Sequence, residues 1–159
     1  MTRVAYAFRE IEPADADFLT EMLRLTLAWH LVPAADGSPP PVLVPPRAFA
    51  DLGRPGDGGA VATYEDAPAG ACWYRLQLTA REHDGAPVPE LLIAVRPEHR
   101  AQGVGGRLLD RGIEHARAAG YGAIDLVVEL DNPARAMYLR RGFEPIGGAP
   151  GVPDLRKLL

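Results

Sequence analysis

The segment Leu91-Leu92-Ile93-Ala94-Val95-Arg96-Pro97-Glu98-His99-Arg100-Ala101-Gln102-Gly103-Val104-Gly105-Gly106-Arg107 decides how this chain is read. Its first five residues form a continuous apolar run, the pattern of a strand buried on both faces in the middle of a sheet. Pro97 stops that strand. Beyond the glycines, Val104, Leu108, Ile113 and Ala116 fall on one face and Gly120 ends the pattern, so a helix is expected from about Gly103 to Ala119. A glycine-rich turn between a buried strand and a helix has a definite chemical capacity. The first helical turn leaves backbone N–H groups unpaired and carries about half a positive charge, and glycines let an anion approach them closely. Arg100 and Arg107 add guanidinium groups suited to phosphate oxygens.

Two common phosphate loops do not fit. A Walker loop needs Gly-Lys followed by Ser or Thr, and this segment contains no lysine. A dinucleotide fingerprint needs Gly or Ala where Leu108 stands and an acid at the end of the next strand, whereas Asp125 lies near the start of that strand. It also expects its first glycine close behind the preceding strand, and here a longer turn intervenes.

Working outward, Ala123 to Val128 reads as a second buried strand, and Asn132-Pro133 opens a third helix that ends at Gly142. Phe143 to Ile146 and Leu155 to Leu159 read as closing strands. Upstream, Val4 to Phe8 alternates as a strand. A helix from Pro13 to Trp29 has proline and acids in its first turn and an apolar face of Phe18, Met22, Leu25 and Trp29. Leu31 to Pro46 is proline-rich and is expected to be an irregular loop, a candidate substrate lid. A short helical turn over Ala48 to Leu52 precedes the glycine-rich turn Gly53 to Gly59. Ala60 to Tyr64 and Ala71 to Leu78 form an antiparallel pair around Glu65-Asp66-Ala67-Pro68, and Arg81 to Pro89 is a polar loop.

Composition narrows the classes of function. With 159 residues, 47% hydrophobic, the chain suits a single domain spanning 1–159. No stretch approaches the roughly 20 apolar residues of a membrane span, so no membrane role is expected. Met1 to Tyr6 lacks the apolar region of a signal peptide, and a cytoplasmic location is expected. The lone Cys72 permits no internal disulfide and no cysteine-based zinc site, and no metal is expected. A net charge of −4 supplies no basic field for nucleic acid.

The pattern Arg100-Ala101-Gln102-Gly103-Val104-Gly105, following strand and proline and opening a helix, resembles the acyl-CoA pyrophosphate loop of the GNAT acetyltransferase superfamily. Leu126 to Phe143, ending Asp131-Asn132-Pro133-Ala134-Arg135-Ala136-Met137-Tyr138-Leu139-Arg140-Arg141-Gly142-Phe143, resembles that family's second motif. Phe8 to Ala16 and Ala69 to Arg75 resemble its first strand and helix and the strand after its hairpin. Only Leu31 to Gly59 has no clear counterpart. The resemblance implies a mixed α/β fold with a strongly twisted central sheet flanked by helices, and with two central strands splayed around acetyl-CoA. It implies that Ile93, Ala94 and Val95 offer backbone groups to the pantetheine arm, and that Arg100, Ala101, Gln102, Gly103, Val104, Gly105 and Gly106 surround the pyrophosphate.

The reaction so implied is attack of a neutral amine on a thioester carbonyl, with a backbone N–H of the central strand steadying the oxyanion. Tyr138 matches the family's proton donor to the leaving thiolate, a role suited to a phenol that stays protonated at neutral pH. Asn132 matches a coenzyme-contacting position and is also an ideal helix cap. Some family members carry a glutamate base where this chain has Val127. Glu129 lies two residues further along the same face of the strand and is the leading base candidate, with Glu90, His83 and Asp84 as alternatives. His30, His99 and His115 read as surface or helix-end residues, and Cys72 as a packing residue. The acceptor expected is a small-molecule amine, with a protein amine as the rival. A non-catalytic acyl-CoA sensor is the reading from another class. The resemblance also allows a homodimer.

Overall fold

The computed structural model describes residues 5–28, 35–36, 44–45, 47–76 and 81–159. A seven-stranded sheet carries the strands β1 (Tyr6–Glu10), β2 (Gly58–Tyr64), β3 (Ala67–Arg75), β6 (Glu90–Val95), β7 (Ala123–Val127), β8 (Glu144–Ala149) and β9 (Val152–Leu158), in the spatial order β1-β2-β3-β6-β7-β9-β8. Between β3 and β6, a separate small hairpin pairs β4 (Glu82–His83) with β5 (Ala86–Pro87). The helices are α1 (Ala16–Ala28), α2 (Val104–Ala118) and α3 (Arg135–Arg140).

Alternation along the strands distributes the core between the two faces. Ala71 and Trp73 on β3 and Ala94 on β6 pack with Leu19 and Met22 of α1. Cys72 and Tyr74 on β3 and Leu91 on β6 pack with Leu108, Leu109 and Ile113 of α2. The face of α1 turned to the sheet runs through the expected Met22, with the expected Phe18 and Leu25 half-buried beside it, and Leu19 joins them fully buried. Its entrance is a 3-10 turn, Pro13–Asp15, in which Asp15 accepts from the Glu12 N–H at 2.9 Å and pairs with Arg9 at 2.7 Å.

The feature that positions the site is the junction between β6 and β7. β6 is laddered to β3 over its whole length, from Glu90↔Arg75 to Val95↔Gly70, and β7 is laddered to β9 from Ala123 to Val127. To each other they are parallel and share one register pair, Glu90↔Asp125. Beyond that pair the sheet opens, as the splayed reading expected. The opening also explains why β6 is not buried on both faces throughout. Leu91 and Ala94 are buried, while Leu92, Ile93 and Val95 are half-buried because they border the gap.

Several boundaries differ from expectation for local reasons. The β2–β3 turn is only Glu65-Asp66, both at positive φ, so β3 begins at Ala67. Within the supposed polar loop, Asp84-Gly85 adopts the same kind of turn and closes the β4–β5 hairpin. Arg47 to Gly53 forms successive turns, not a helix, with Ala50 N–H donating to Arg47 O and Leu52 N–H to Phe49 O. The helix expected from Asn132 begins at Arg135, after a turn in which Arg135 N–H donates to Asn132 O. The candidate lid, Leu31 to Pro46, falls almost wholly outside the described residues, as do Trp29 and His30.

Candidate functional site

The gap between β6 and β7 is a cavity of about 400 Å³. It is lined by β6 from Glu90 to Val95, by Leu126 to Glu129, by the last turn of α1 at Leu25 to Leu27, and by Arg100, Gly105, Asn132, Ala134, Met137 and Tyr138. Of the residues expected from the sequence, Ile93, Ala94, Val95, Arg100, Gly105, Asn132, Glu129 and Tyr138 are brought together on its walls. Ala101, Gln102, Gly103, Val104 and Gly106 do not border it, but belong to the same continuous turn that Arg100 and Gly105 join to it. Leu25 to Leu27, Met137 and Ala134 carry no local signal that could have placed them here.

The turn has an unusual backbone. Gly103 caps α2 in the left-handed region at φ +78, and Ala101 stands there too, at φ +58. No side chain caps the helix, and its first internal bond is from Arg107 N–H to Gly103 O at 3.3 Å. The N–H groups of Val104, Gly105 and Gly106 therefore have no acceptor within the helix, which is the donor set that anions use. The Val104 side chain itself is buried at 1% exposure, so only its backbone faces the turn. At 106 an added Cβ would sit 2.7 Å from Arg141 Nη2, the far end of a flexible side chain that can shift away. At 105 the nearest atoms would be Val95 Cγ2 at 3.8 Å and Met137 Sδ at 3.9 Å, so the protein leaves space there. The Arg100 guanidinium bonds the Val95 carbonyl at 3.0 Å and holds the turn against the end of β6.

Titratable side chains meet in the same cavity. Tyr138 is 7% exposed, with its ring edge-on to Phe143 at 5.9 Å. Burial, with smaller contributions from Cys72 and the Glu129 carboxylate, pushes its phenol far above the ordinary value, so it keeps its proton. Asn132 lines the cavity and its side-chain oxygen accepts from the Ala134 N–H at 2.9 Å, but it is not the helix cap expected of it: that bond closes the turn before α3, whose N-cap is Ala134 with no side-chain cap. Glu90, at the narrow end where β6 and β7 still pair, is also raised. Desolvation is the main cause, Asp154 and Asp125 add to it, and Arg81 opposes it at 3.4 Å. Behind it lies a charge network. The fully buried Asp125 accepts two bonds from Arg156 at 2.7 and 2.8 Å, while Arg81 reaches Asp125 and Asp154.

His83 and Asp84 pair with each other at 3.4 Å on the small hairpin and do not border the cavity. His99 and His115, read from the sequence as surface groups, are each bonded to a tyrosine, Tyr6 at 2.9 Å and Tyr74 at 2.7 Å. Burial drives the Cys72 thiol far up, which keeps it neutral and unreactive. Among the described residues no group of three or more His, Cys, Asp or Glu side chains could hold a metal ion, and no helix is long and apolar enough to cross a membrane.

The sequence and fold resemble those of known proteins. A curated relative, the uncharacterized N-acetyltransferase YjhQ of Escherichia coli (strain K12), is 35% identical over 95 residues, or 58% of this chain and 49% of that protein. The chain thus spans about half the length of this relative. The solved ribosomal-protein-alanine N-acetyltransferase of Brucella melitensis superposes with a TM-score of 0.73 at 23% identity, covering 96% of this chain and 99% of the other. A GNAT superfamily phosphinothricin acetyltransferase of Sinorhizobium meliloti, solved in complex with acetyl-CoA, superposes with a TM-score of 0.69 at 23% identity, covering 97% and 88%. At those identities the likeness speaks to the fold, and the two names carry different acceptors. A family model described as acetyltransferase (GNAT) family matches residues 19–143. The strand–turn–helix around Gly103, the gap beyond Glu90 and the segment bearing Tyr138 all lie within that match, and the chain belongs to the GNAT acetyltransferase family.

Proposed function

We propose that the protein transfers an acetyl group from acetyl-CoA to the primary amine of a small molecule. One observation carries this reading: a single cavity has an uncapped, glycine-lined helix start at one end and Glu90 at the other, with Tyr138 and Glu129 on its walls. Five strand steps from Val95 to Glu90 span about 17 Å, the scale of an extended pantetheine arm. The coenzyme's diphosphate fits the free N–H groups of Val104 to Gly106, its arm fits the edge of β6 at Ile93 to Val95, and Arg100, Ala101, Gln102 and Asn132 complete its surroundings. When bound, acetyl-CoA supplies an activated acetyl thioester.

Within this proposal Glu90 takes the proton from the incoming ammonium. The sequence favoured Glu129, but burial makes the Glu90 carboxylate the stronger base. Glu129 instead stands where its charge is felt by Tyr138. Tyr138 donates its proton toward the departing sulfur. Desolvation in the same cavity also disfavours a bare thiolate, which favours protonation of the departing sulfur. Leu25, Leu27 and Leu92 flank the same cavity, which suits an amine attached to an apolar carbon skeleton. A cytoplasmic setting belongs to the same proposal.

Calorimetric titration with acetyl-CoA, alongside CoA and NAD, tests the reading, followed by thiol release over a panel of small amines. Selective CoA-type binding with amine-dependent thiol release is expected. Binding without turnover on any amine would favour a sensor, and no binding by the folded protein would overturn the reading. In Tyr138→Phe, turnover should fall about a hundredfold while acetyl-CoA affinity stays within about twofold. Unchanged turnover removes Tyr138 from the acid role.

A further inference from the structure

The turn between β6 and α2 is held from a distance. Ala101 occupies the left-handed region without being glycine, a strained conformation that persists only where surrounding contacts impose it. Some of those contacts are local: Arg100 to the Val95 carbonyl, and Gln102 Nε2 to the Glu98 carbonyl at 3.3 Å. Arg96 anchors the start of the turn, its N–H donating to Ala69 O and its guanidinium to Pro68 O. The far part, where the chain reverses into α2, is grasped by a residue more than 90 positions earlier. Tyr6 on β1 donates its phenolic hydrogen to Gln102 Oε1 at 3.2 Å, and its oxygen lies 2.9 Å from His99 Nδ1. A phenol has one hydrogen, so His99 is the donor in the second bond and carries a hydrogen on Nδ1. Both amide ends of Gln102 are thereby occupied within the protein, leaving its backbone as the part offered to a ligand.

Tyr6 is only 8% exposed and does not border the cavity. Its ring packs against Tyr64 at 5.5 Å and edge-on to His99 at 5.6 Å, so loss of the oxygen alone leaves the packing in place. We propose that Tyr6 is a positioning residue for the coenzyme: through His99 and Gln102 it holds the Arg100–Gly103 turn in the strained path that aims the first N–H groups of α2 at an anion. It acts on coenzyme affinity and not on proton transfer, because Glu90 and Tyr138 lie on the cavity walls and are held by other elements.

The inference rests on the coenzyme reading of the turn. The test is acetyl-CoA titration and steady-state kinetics on wild type, Tyr6→Phe, His99→Ala and the double variant. Tyr6→Phe, which removes both bonds, is expected to raise both Kd and KM for acetyl-CoA about tenfold, while kcat at saturation stays within about twofold. The double variant should be little worse than Tyr6→Phe alone, because the His99 bond is one of the two that Tyr6→Phe already removes. If Tyr6→Phe does not fold, His99→Ala reads the same bond from the turn side and must show the same split. Wild-type binding with equal affinity in both single variants overturns the inference and leaves the coenzyme reading standing. A fall in kcat without a change in KM also overturns it. Failure of the wild-type protein to bind acetyl-CoA takes down both.

Discussion

Gly105→Ala separates a glycine kept for a ligand from one kept for the fold. Gly105 is the second residue of α2, has an ordinary helical backbone, and borders the cavity. The added Cβ would stand 3.8 Å from Val95 Cγ2 and 3.9 Å from Met137 Sδ, ordinary van der Waals contact with nothing displaced. In the free protein only helix propensity changes, favouring alanine by up to about 1 kcal/mol, somewhat less in the first turn. For a domain of this size that raises Tm by roughly 1–4 °C. In the complex the methyl group occupies the space through which a diphosphate reaches the N–H groups. Loss of one charge-assisted hydrogen bond costs about 1.5–3 kcal/mol, or roughly 10- to 150-fold in Kd. Opposite signs are therefore expected from thermal denaturation and acetyl-CoA calorimetry. A raised Tm with unchanged affinity would refute the claim that the ligand approaches this backbone, and a lowered Tm would refute the packing on which the argument stands.

Gly112→Ala is the structural counterpart, because its Cβ would lie 2.5 Å from the buried Cys72 Sγ. It should destabilise by about 1–3 kcal/mol in urea denaturation, and the penalty should shrink by at least half in a Cys72→Ala background. Equal penalties in the two backgrounds would show that the sulfur is not the obstacle. For Glu90, the raised carboxyl predicts that kcat/KM climbs with pH along a limb displaced above the usual carboxylate range, and that Glu90→Gln abolishes the limb and lowers the plateau about a hundredfold. The stability effect has the opposite sense. A carboxyl raised in the folded state holds its proton more tightly there, so wild-type stability falls as pH rises from the unfolded value through the folded one. Glu90→Gln should thus gain stability relative to wild type across that window and gain nothing at lower pH, which denaturation at a series of pH values will show.

Much of the site was legible because its signals are local. The apolar run Leu91 to Val95, the stop at Pro97 and the glycines before Val104 describe a strand, a turn and a helix start from backbone preferences of neighbouring residues alone. Asn132-Pro133 announced a helix entrance in the same way, although the turn that Asn132 closes delays the helix to Arg135. Where the reading slipped, a short-range preference was outweighed or overlooked. Asp84-Gly85 closes a hairpin inside a stretch whose polarity suggested only a loop, and Leu19, outside the expected stripe of α1, is fully buried with Met22 in the cluster around Trp73.

The sequence by itself determined the family's turn, the order of the main-sheet strands and the helices along the chain, and the presence of Tyr138 at a fixed distance from Asn132. Each depends on residues within a few positions of one another. Tertiary structure alone decided which carboxylate is desolvated: burial raises Glu90, Arg81 opposes the rise and Asp154 and Asp125 add to it, a setting that only sheet pairing assembles. It also decided that Tyr6 reaches His99 across 93 positions, that the end of α1 joins the cavity wall, and that β6 and β7 part after a single pair. Local sequence encodes backbone preference, whereas burial and long-range partners follow from how twisted, fully laddered half-sheets are forced together, and no window of neighbouring residues contains that information.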